Sequence, residues 1–299
     1  MDRWPALRYG DWRDTLHTLH LWTQIVGKIR LKLEFFVNHW WNVALYVTPR
    51  GLTTSAMPYR DGRLVAIDFD FVDHRLRIEA GGDGASFALE PMSVADFYAR
   101  IFRELSSLDV RVAINKMPNE IPGAVPFDRD TVHASYDSAY VERFARALRQ
   151  TNRVCKQFRS RFVGKASPVH FFWGSFDLTT TRFSGRPAPP HPGGFPNMPD
   201  WVTREAYSHE EYSVGFWPGS EGMEAAYYAY AYPLPDGYAQ ANVSPAAASW
   251  DALLGEFVLP YDAVRASPDP DRDLLAFFES AYEAAATLAR WDRAALERW

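Results

Sequence analysis

The sequence predicts an α+β protein built of two duplicated units, each a helix, an antiparallel meander and a closing helix, packed around a shared aromatic cleft. Three observations carry that expectation. Helical apolar spacing opens each half, at 15–33 and 138–162. Short β-like runs punctuated by Gly, Pro and Asp follow each helix. Aromatic residues make up 15% of the chain, with 11 Trp, an excess that suits either core filling or the walls of a ligand site.

In the first helix, Leu16, Leu19, Trp22, Ile25, Val26, Ile29 and Leu33 form one broad apolar face. His20, Gln24 and Lys28 follow at four-residue steps and share a polar stripe, read as a solvated face or as substrate contacts. Strands are expected at 43–48, 52–56, 64–71, 75–80 and 86–89, with turns at 49–51, 60–62 and the glycine-rich 81–84. Ser93 with Asp96 three positions later caps a helix, and a strand at 110–114 closes the unit. Pro118, Pro122 and Pro126 mark 117–137 as a connection between units 1–116 and 138–299. In the second unit, strands are expected at 169–173, 176–183, 212–217, 225–232 and 256–259, and a helix at 272–288. Its Pro/Gly-rich loop, 184–205, has the length and composition of a lid, a binding loop or an embrace of the other unit.

Local text supports duplication. His39 stands eleven residues after Lys28 and His170 eleven after Arg159, while Asp73-His74 and Ser208-His209 each precede a strand and a turn. An ancient tandem repeat would place His39 over His170.

Composition narrows the function classes. A net charge of -5 argues against nucleic acid or an anionic membrane surface as the main partner. The single cysteine, Cys155, leaves no disulfide framework or cysteine zinc site, and its helical apolar neighbours make it a core residue. Charged residues near the start, Arg3, Asp11, Arg13 and Asp14, do not fit a secretory leader, and no run approaches the ~20 apolar residues of a membrane span. A soluble, cytoplasmic protein is expected.

The runs Ser167-Pro168-Val169-His170-Phe171-Phe172-Trp173-Gly174-Ser175-Phe176-Asp177, Arg204-Glu205-Ala206-Tyr207-Ser208-His209-Glu210 and Gly215-Phe216-Trp217-Pro218-Gly219 resemble a bacterial family of proteins of unknown function. Leu21-Trp22-Thr23-Gln24-Ile25-Val26-Gly27-Lys28 and Ile67-Asp68-Phe69-Asp70-Phe71-Val72-Asp73-His74 extend the resemblance over nearly the whole chain. It implies no activity, cofactor or catalytic residue.

The chemistry is therefore read from side chains. His170, with Ser175, Asp177 and Arg182 among aromatic residues, is the first constellation, because an imidazole and a carboxylate in such surroundings have shifted proton affinities. On one continuous strand Trp173, Ser175 and Asp177 would share a face and His170 would point to the other. No Gly-x-Ser-x-Gly elbow supports a hydrolytic triad on Ser175. His209, Glu210 and Glu211 form the second constellation, and His39, His74, His170 and His209 together are candidate metal ligands. Asp68 and Asp70 share a strand face that reads as an oxygen-rich cation site or as partners of nearby arginines. Nucleotide-binding loops are absent from the sequence.

The resulting expectation is an enzyme acting on a small anionic or aromatic metabolite, without a nameable cofactor. His170 and His209 serve as acid-base groups or metal ligands, oriented by Asp177 or Glu210. Lys28 and Arg182 hold an anion, His20 and Gln24 line the stripe, and Trp173 and Trp217 form walls. The alternatives are a non-catalytic small-molecule binder using the same cleft and an oligomer-forming scaffold.

Overall fold

The chain is described here by a computed structural model covering residues 3–298. Its first helix, α1 (Tyr9–Leu33), starts earlier than the apolar spacing predicts because Tyr9 and Trp12 continue the buried stripe. Every residue from Leu21 to Arg30 is buried, so this helix is enclosed by the rest of the protein. That enclosure overturns the solvated-face reading of Gln24 and Lys28.

The first sheet holds β1 (Tyr46–Val47), β2 (Gly51–Thr53), β3 (Met57–Pro58), β4 (Leu64–Asp70), β5 (Arg75–Ala80) and β6 (Asp83–Ala88). It is ordered β1-β2-β4-β5-β6, with β3 on β4. Ala80 pairs with Asp83 across Gly81 and Gly82, whose φ values of 62° and 103° give the two-residue hairpin that glycine permits. Asp70 accepts from Arg50 Nε at 2.7 Å and Arg77 Nε at 3.0 Å, so arginine pairing holds at Asp70, whereas Asp68 Oδ1 on the same face is buried without a partner among the described residues. Helix α2 (Val94–Ser107) starts on Ser93, whose hydroxyl accepts from Asp96 N. Its Phe97 ring stacks on Trp22 of α1 at 4.7 Å.

The strand expected at 110–114 does not form. The segment alternates in burial, but its backbone partners are not strands: Val110 N donates to Leu105 O and Arg111 N donates to Tyr59 Oη. Helix α3 (Ser138–Ser160) follows, capped by Asp137, and buries Cys155, whose thiol is pushed up by burial.

The second sheet comprises β7 (His170–Phe172), β8 (Asp177–Pro187), β9 (His209–Trp217), β10 (Ala226–Tyr232), β11 (Ser249–Asp251) and β12 (Glu256–Pro260), in the order β11-β12-β10-β9-β8-β7. The helix α4 (Asp200–Ala206) interrupts the long loop, and α5 (Tyr261–Arg265), α6 (Pro270–Leu288) and α7 (Arg293–Leu296) complete the chain. Helices α3 and α6 cover one face of this sheet through Phe158, Phe278 and Tyr282, against Tyr212, Tyr227 and Arg182. Leu45 and Phe171 exchange backbone hydrogen bonds of 2.8 and 2.9 Å, which joins the edges of the two sheets. Among the described residues no helix is long and apolar enough to cross a membrane.

Candidate functional site

The face of the second sheet turned away from α3 and α6 is polar. Alternation along β8 sends Asp177, Thr179, Thr181 and Phe183 to that face. Cross-strand pairing adds Glu211, Ser213, Gly215 and Trp217 from β9, then Tyr228, Tyr230 and Tyr232 from β10. A sheet face filled with hydroxyls and carboxyls, opposite an apolar one, is the feature that sets this molecule apart from a simple packed core.

Gly215 shapes the centre of the face. A side chain there would collide with the Tyr228 ring and with Leu178 O. Without one, Tyr228 lies across β9 and donates its hydroxyl to Asp177 Oδ2 on β8. Ser175 Oγ donates to Asp177 Oδ1 at 2.7 Å, so both carboxyl oxygens accept from hydroxyls. Burial still raises the Asp177 carboxyl above its ordinary range, although these hydrogen bonds pull the other way. Ser175 thus binds a carboxylate rather than a histidine, and no hydrolytic triad forms around it.

Two further carboxyls act on this group. Glu120, on a residue with φ 62°, has its carboxyl against Gly174. Burial pushes it up to about 7, with Asp177 adding to the push. Burial likewise pushes Glu256 up to about 7, with contributions from Asp177 and Asp251. At the other end of the face, Glu211 is only 6% exposed, and burial lifts it to about 8. The tyrosines between these acids are linked: Tyr207 and Tyr230 hydroxyls lie 3.1 Å apart. His191 from the long loop stacks on Tyr207 at 4.5 Å.

The α1 stripe positions one wall. Gln24 grips the backbone of Asn119 twice, donating from Nε2 to its carbonyl at 2.9 Å and accepting from its N–H at 2.8 Å. Lys28 Nζ donates to Met117 O at 2.8 Å and to Asn119 Oδ1. His20 Nε2 lies 2.8 Å from Gly174 O, and burial holds this imidazole down to about 4. Gln24 and Lys28 therefore fix the segment carrying Glu120, while His20 holds the carbonyl of Gly174, the residue against which the Glu120 carboxyl rests. That segment also receives the long loop, since Glu120 N donates to Pro196 O and Asn119 Nδ2 to Asn197 O, at 2.8 and 2.7 Å.

The remaining sequence candidates separate. The break between the expected runs 169–173 and 176–183 is a hairpin turn at 173–176, with φ 61° at Phe176, so the two-residue alternation does not run through from His170 to Asp177. Pairing of His170 with Thr179 and of Phe172 with Asp177 brings His170 onto the same face as Asp177. His170 is fully buried among Trp41, Tyr46 and Phe172, with both ring nitrogens unpartnered, and burial lowers it to about 3. Trp173 packs on Gly27 and donates Nε1 to Val43 O at 2.8 Å. Arg182 points to the helical face, where it donates to Phe158 O and sits 3.5 Å from the Phe158 ring centroid. Trp217 is half-buried at the end of the polar face.

His39 Nδ1 donates to Ala206 O at 2.8 Å, which leaves Nε2 to accept from Lys165 Nζ at 2.6 Å. His209 meets the His39 ring edge-on at 5.6 Å. Glu210 is held by Arg186 at 2.6 Å and does not orient His209. His74 is bound to Tyr136 Oη at 2.9 Å beside the first sheet. Among the described residues no three His, Cys, Asp or Glu side chains are grouped to hold a metal ion.

Sequence reading passed over Glu120, Glu256, Tyr207, Tyr228 and Tyr230, and it took Glu211 only as a neighbour of His209 and Glu210. A signal existed for some: Ala226-Tyr-Tyr-Ala-Tyr-Ala-Tyr232 places alternate tyrosines on one face, and Glu211-x-Ser213-x-Gly215 alternates with Tyr212, Val214 and Phe216. Nothing in the Pro-rich connection marked Glu120.

Fold and site together define an α+β protein with two joined antiparallel sheets, one carrying a tyrosine- and carboxyl-lined face. The chain belongs to the family of unknown function DUF5996, whose model matches residues 4–298. Comparison with curated proteins and with solved structures gives no match.

Proposed function

We propose that the polar face is a small-molecule cleft and that the protein is an enzyme moving protons through Asp177, Glu120 and Glu256. The observation that carries this reading is the buried Asp177 carboxyl, held by the Tyr228 and Ser175 hydroxyls and interacting with Glu120 and Glu256, both raised to about 7. A carboxyl that exchanges its proton near neutral pH can act as acid in one step and base in the next. Tyr207, Tyr228, Tyr230 and Trp217 supply aromatic walls for the ligand. The histidines expected to lead the chemistry have a supporting place: His170 lines the buried end of the face, and His39 and His209 stand beside Glu211. Duplication of one helix-and-meander unit remains the origin we propose for the two sheets.

A ligand-observed NMR screen of small polar and aromatic metabolites tests the reading. Ligands of the cleft are expected to lose at least about tenfold in affinity with Asp177→Asn or Tyr228→Phe, the cost of one hydrogen bond to a charged or buried group. Unchanged affinity in both folded variants places binding elsewhere and ends the proposal. Binding without turnover reduces it to the non-catalytic form.

A further inference from the structure

We infer that the ligand of this cleft is an extended organic cation, a diamine or polyamine, an assignment that rests on the cleft reading above. Acids stand at both ends of the polar face. Asp177 and Glu120 interact at one end, and Glu256 on β12, level with Tyr230, acts on Asp177 from the side. Glu211 stands at the other, opposite Phe183 and Tyr232. The residue is only 6% exposed, and its carboxyl has no hydrogen-bond or ion-pair partner among the described residues. A buried carboxyl left without a partner costs folding free energy unless something else meets it.

The protein's own cations do not neutralise this set. The charges acting on Asp177, Glu120 and Glu256 include no lysine or arginine. Lys165 is the cation acting on Glu211, and its ammonium is held by His39 over the Trp41 and Phe183 rings. Lys28 and Arg182 are committed to backbone carbonyls outside the face. An anionic ligand would find no free ammonium or guanidinium group among the described residues of this face to pair with. The donor groups are too dispersed to close on a metal ion. An alkyl chain with an ammonium at each end meets both acids and lays its methylenes and charges along tyrosine rings, whose faces attract cations. Tyr207 lies within electrostatic range of Glu211, Asp177 and Glu120 alike, so the two ends belong to one connected site. Four residues of β9, from Glu211 to the Gly215 row crossed by Tyr228, span roughly 14 Å, a length suited to a polyamine rather than a simple amine.

The test is isothermal titration calorimetry of the full chain at about pH 6, in two buffers of different ionisation enthalpy, with spermidine, putrescine, butylamine, butanediol and succinate as probes. Spermidine or putrescine is expected to bind at one site and release protons, because the cation ionises carboxyls that are protonated at that pH. Glu211→Gln is expected to weaken the polyamine at least about tenfold while leaving butylamine within about twofold. Should Asp177→Asn fail to fold, Glu256→Gln on β12 reports on the acids that interact with Asp177. Binding of butanediol or succinate in preference to the amines, sensitive to Asp177→Asn or Glu256→Gln, overturns the cation and leaves the cleft standing. Spermidine binding that no cleft variant alters, or no binding by any probe, overturns the cation assignment. In that case the cleft itself stands or falls on the metabolite screen.

Discussion

At the scale of single residues, Gly215 decides what the polar face can be. Any side chain at this position displaces Tyr228, and with it the hydroxyl that holds Asp177. Gly215→Ala is expected to destabilise the fold by about 1–3 kcal/mol, the usual cost of forcing a methyl group into a packed site. Combining it with Tyr228→Ala should cost less than the two changes summed, because the second removes the ring, although Leu178 O still crowds the added methyl. Urea unfolding midpoints of the four proteins check this, and strict additivity would separate Gly215 from Tyr228. Sequence alone showed Gly215 only as part of a family-like run; its reason is the register that sets it between Thr179 and Tyr228, which no local pattern reveals.

At the scale of elements, α1 is both core and clamp. The four-residue spacing of His20, Gln24 and Lys28 correctly put them on one stripe, but spacing cannot say whether solvent or protein lies beyond it. The connection 117–137 lies there, and its backbone polar groups need partners because little regular structure supplies them. Lys28 is the more exacting member: burial brings its ammonium down to about 8, and two acceptors depend on it. Lys28→Met is expected to cost about 1–3 kcal/mol and to open the segment near Pro118 to limited proteolysis. Unchanged cleavage kinetics would show that Gln24 alone suffices. The hairpin at 173–176 teaches the complementary lesson. Residues 169–183 read as two extended runs, and only the antiparallel pairing of β7 with β8 shows that His170 and Asp177 share a face.

At the scale of the whole molecule, the sequence carried the fold class, the order of helices and most strands, since apolar period and turn residues are local. It did not carry the joining of the two sheets at Leu45 and Phe171, or the segment 110–114, where Tyr59 and Leu105 rather than a neighbouring strand satisfy the backbone. The catalytic reading moved from histidines to carboxyls for the same reason: proximity of Glu120, Asp177 and Glu256 is a property of the assembled chain.

Assembly also fixes how stability depends on pH. Glu120, Glu211 and Glu256 have folded-state values raised above the ordinary 4.5, so their favourable contribution is full below 4.5 and is lost as pH rises through about 7 to 8. His20 and His170 are lowered from 6.5, so theirs is full above 6.5 and is lost as pH falls toward about 4 and 3. The two windows overlap between pH 4.5 and 6.5, where three carboxyls losing stability outweigh two histidines gaining it, so the maximum from these groups is expected near pH 4.5, and thermal melts across pH locate it. A maximum at alkaline pH would mean that the buried carboxyls ionise freely.

The carboxyls themselves can be followed one by one. Carbon-detected NMR titration of side-chain carboxyl signals, assigned through Glu120→Gln, Glu211→Gln and Glu256→Gln, reports each midpoint directly. Midpoints near 7 for Glu120 and Glu256 and near 8 for Glu211 are the predicted result. Ordinary midpoints near 4.5 for all three would contradict a proton-transferring cleft on this face.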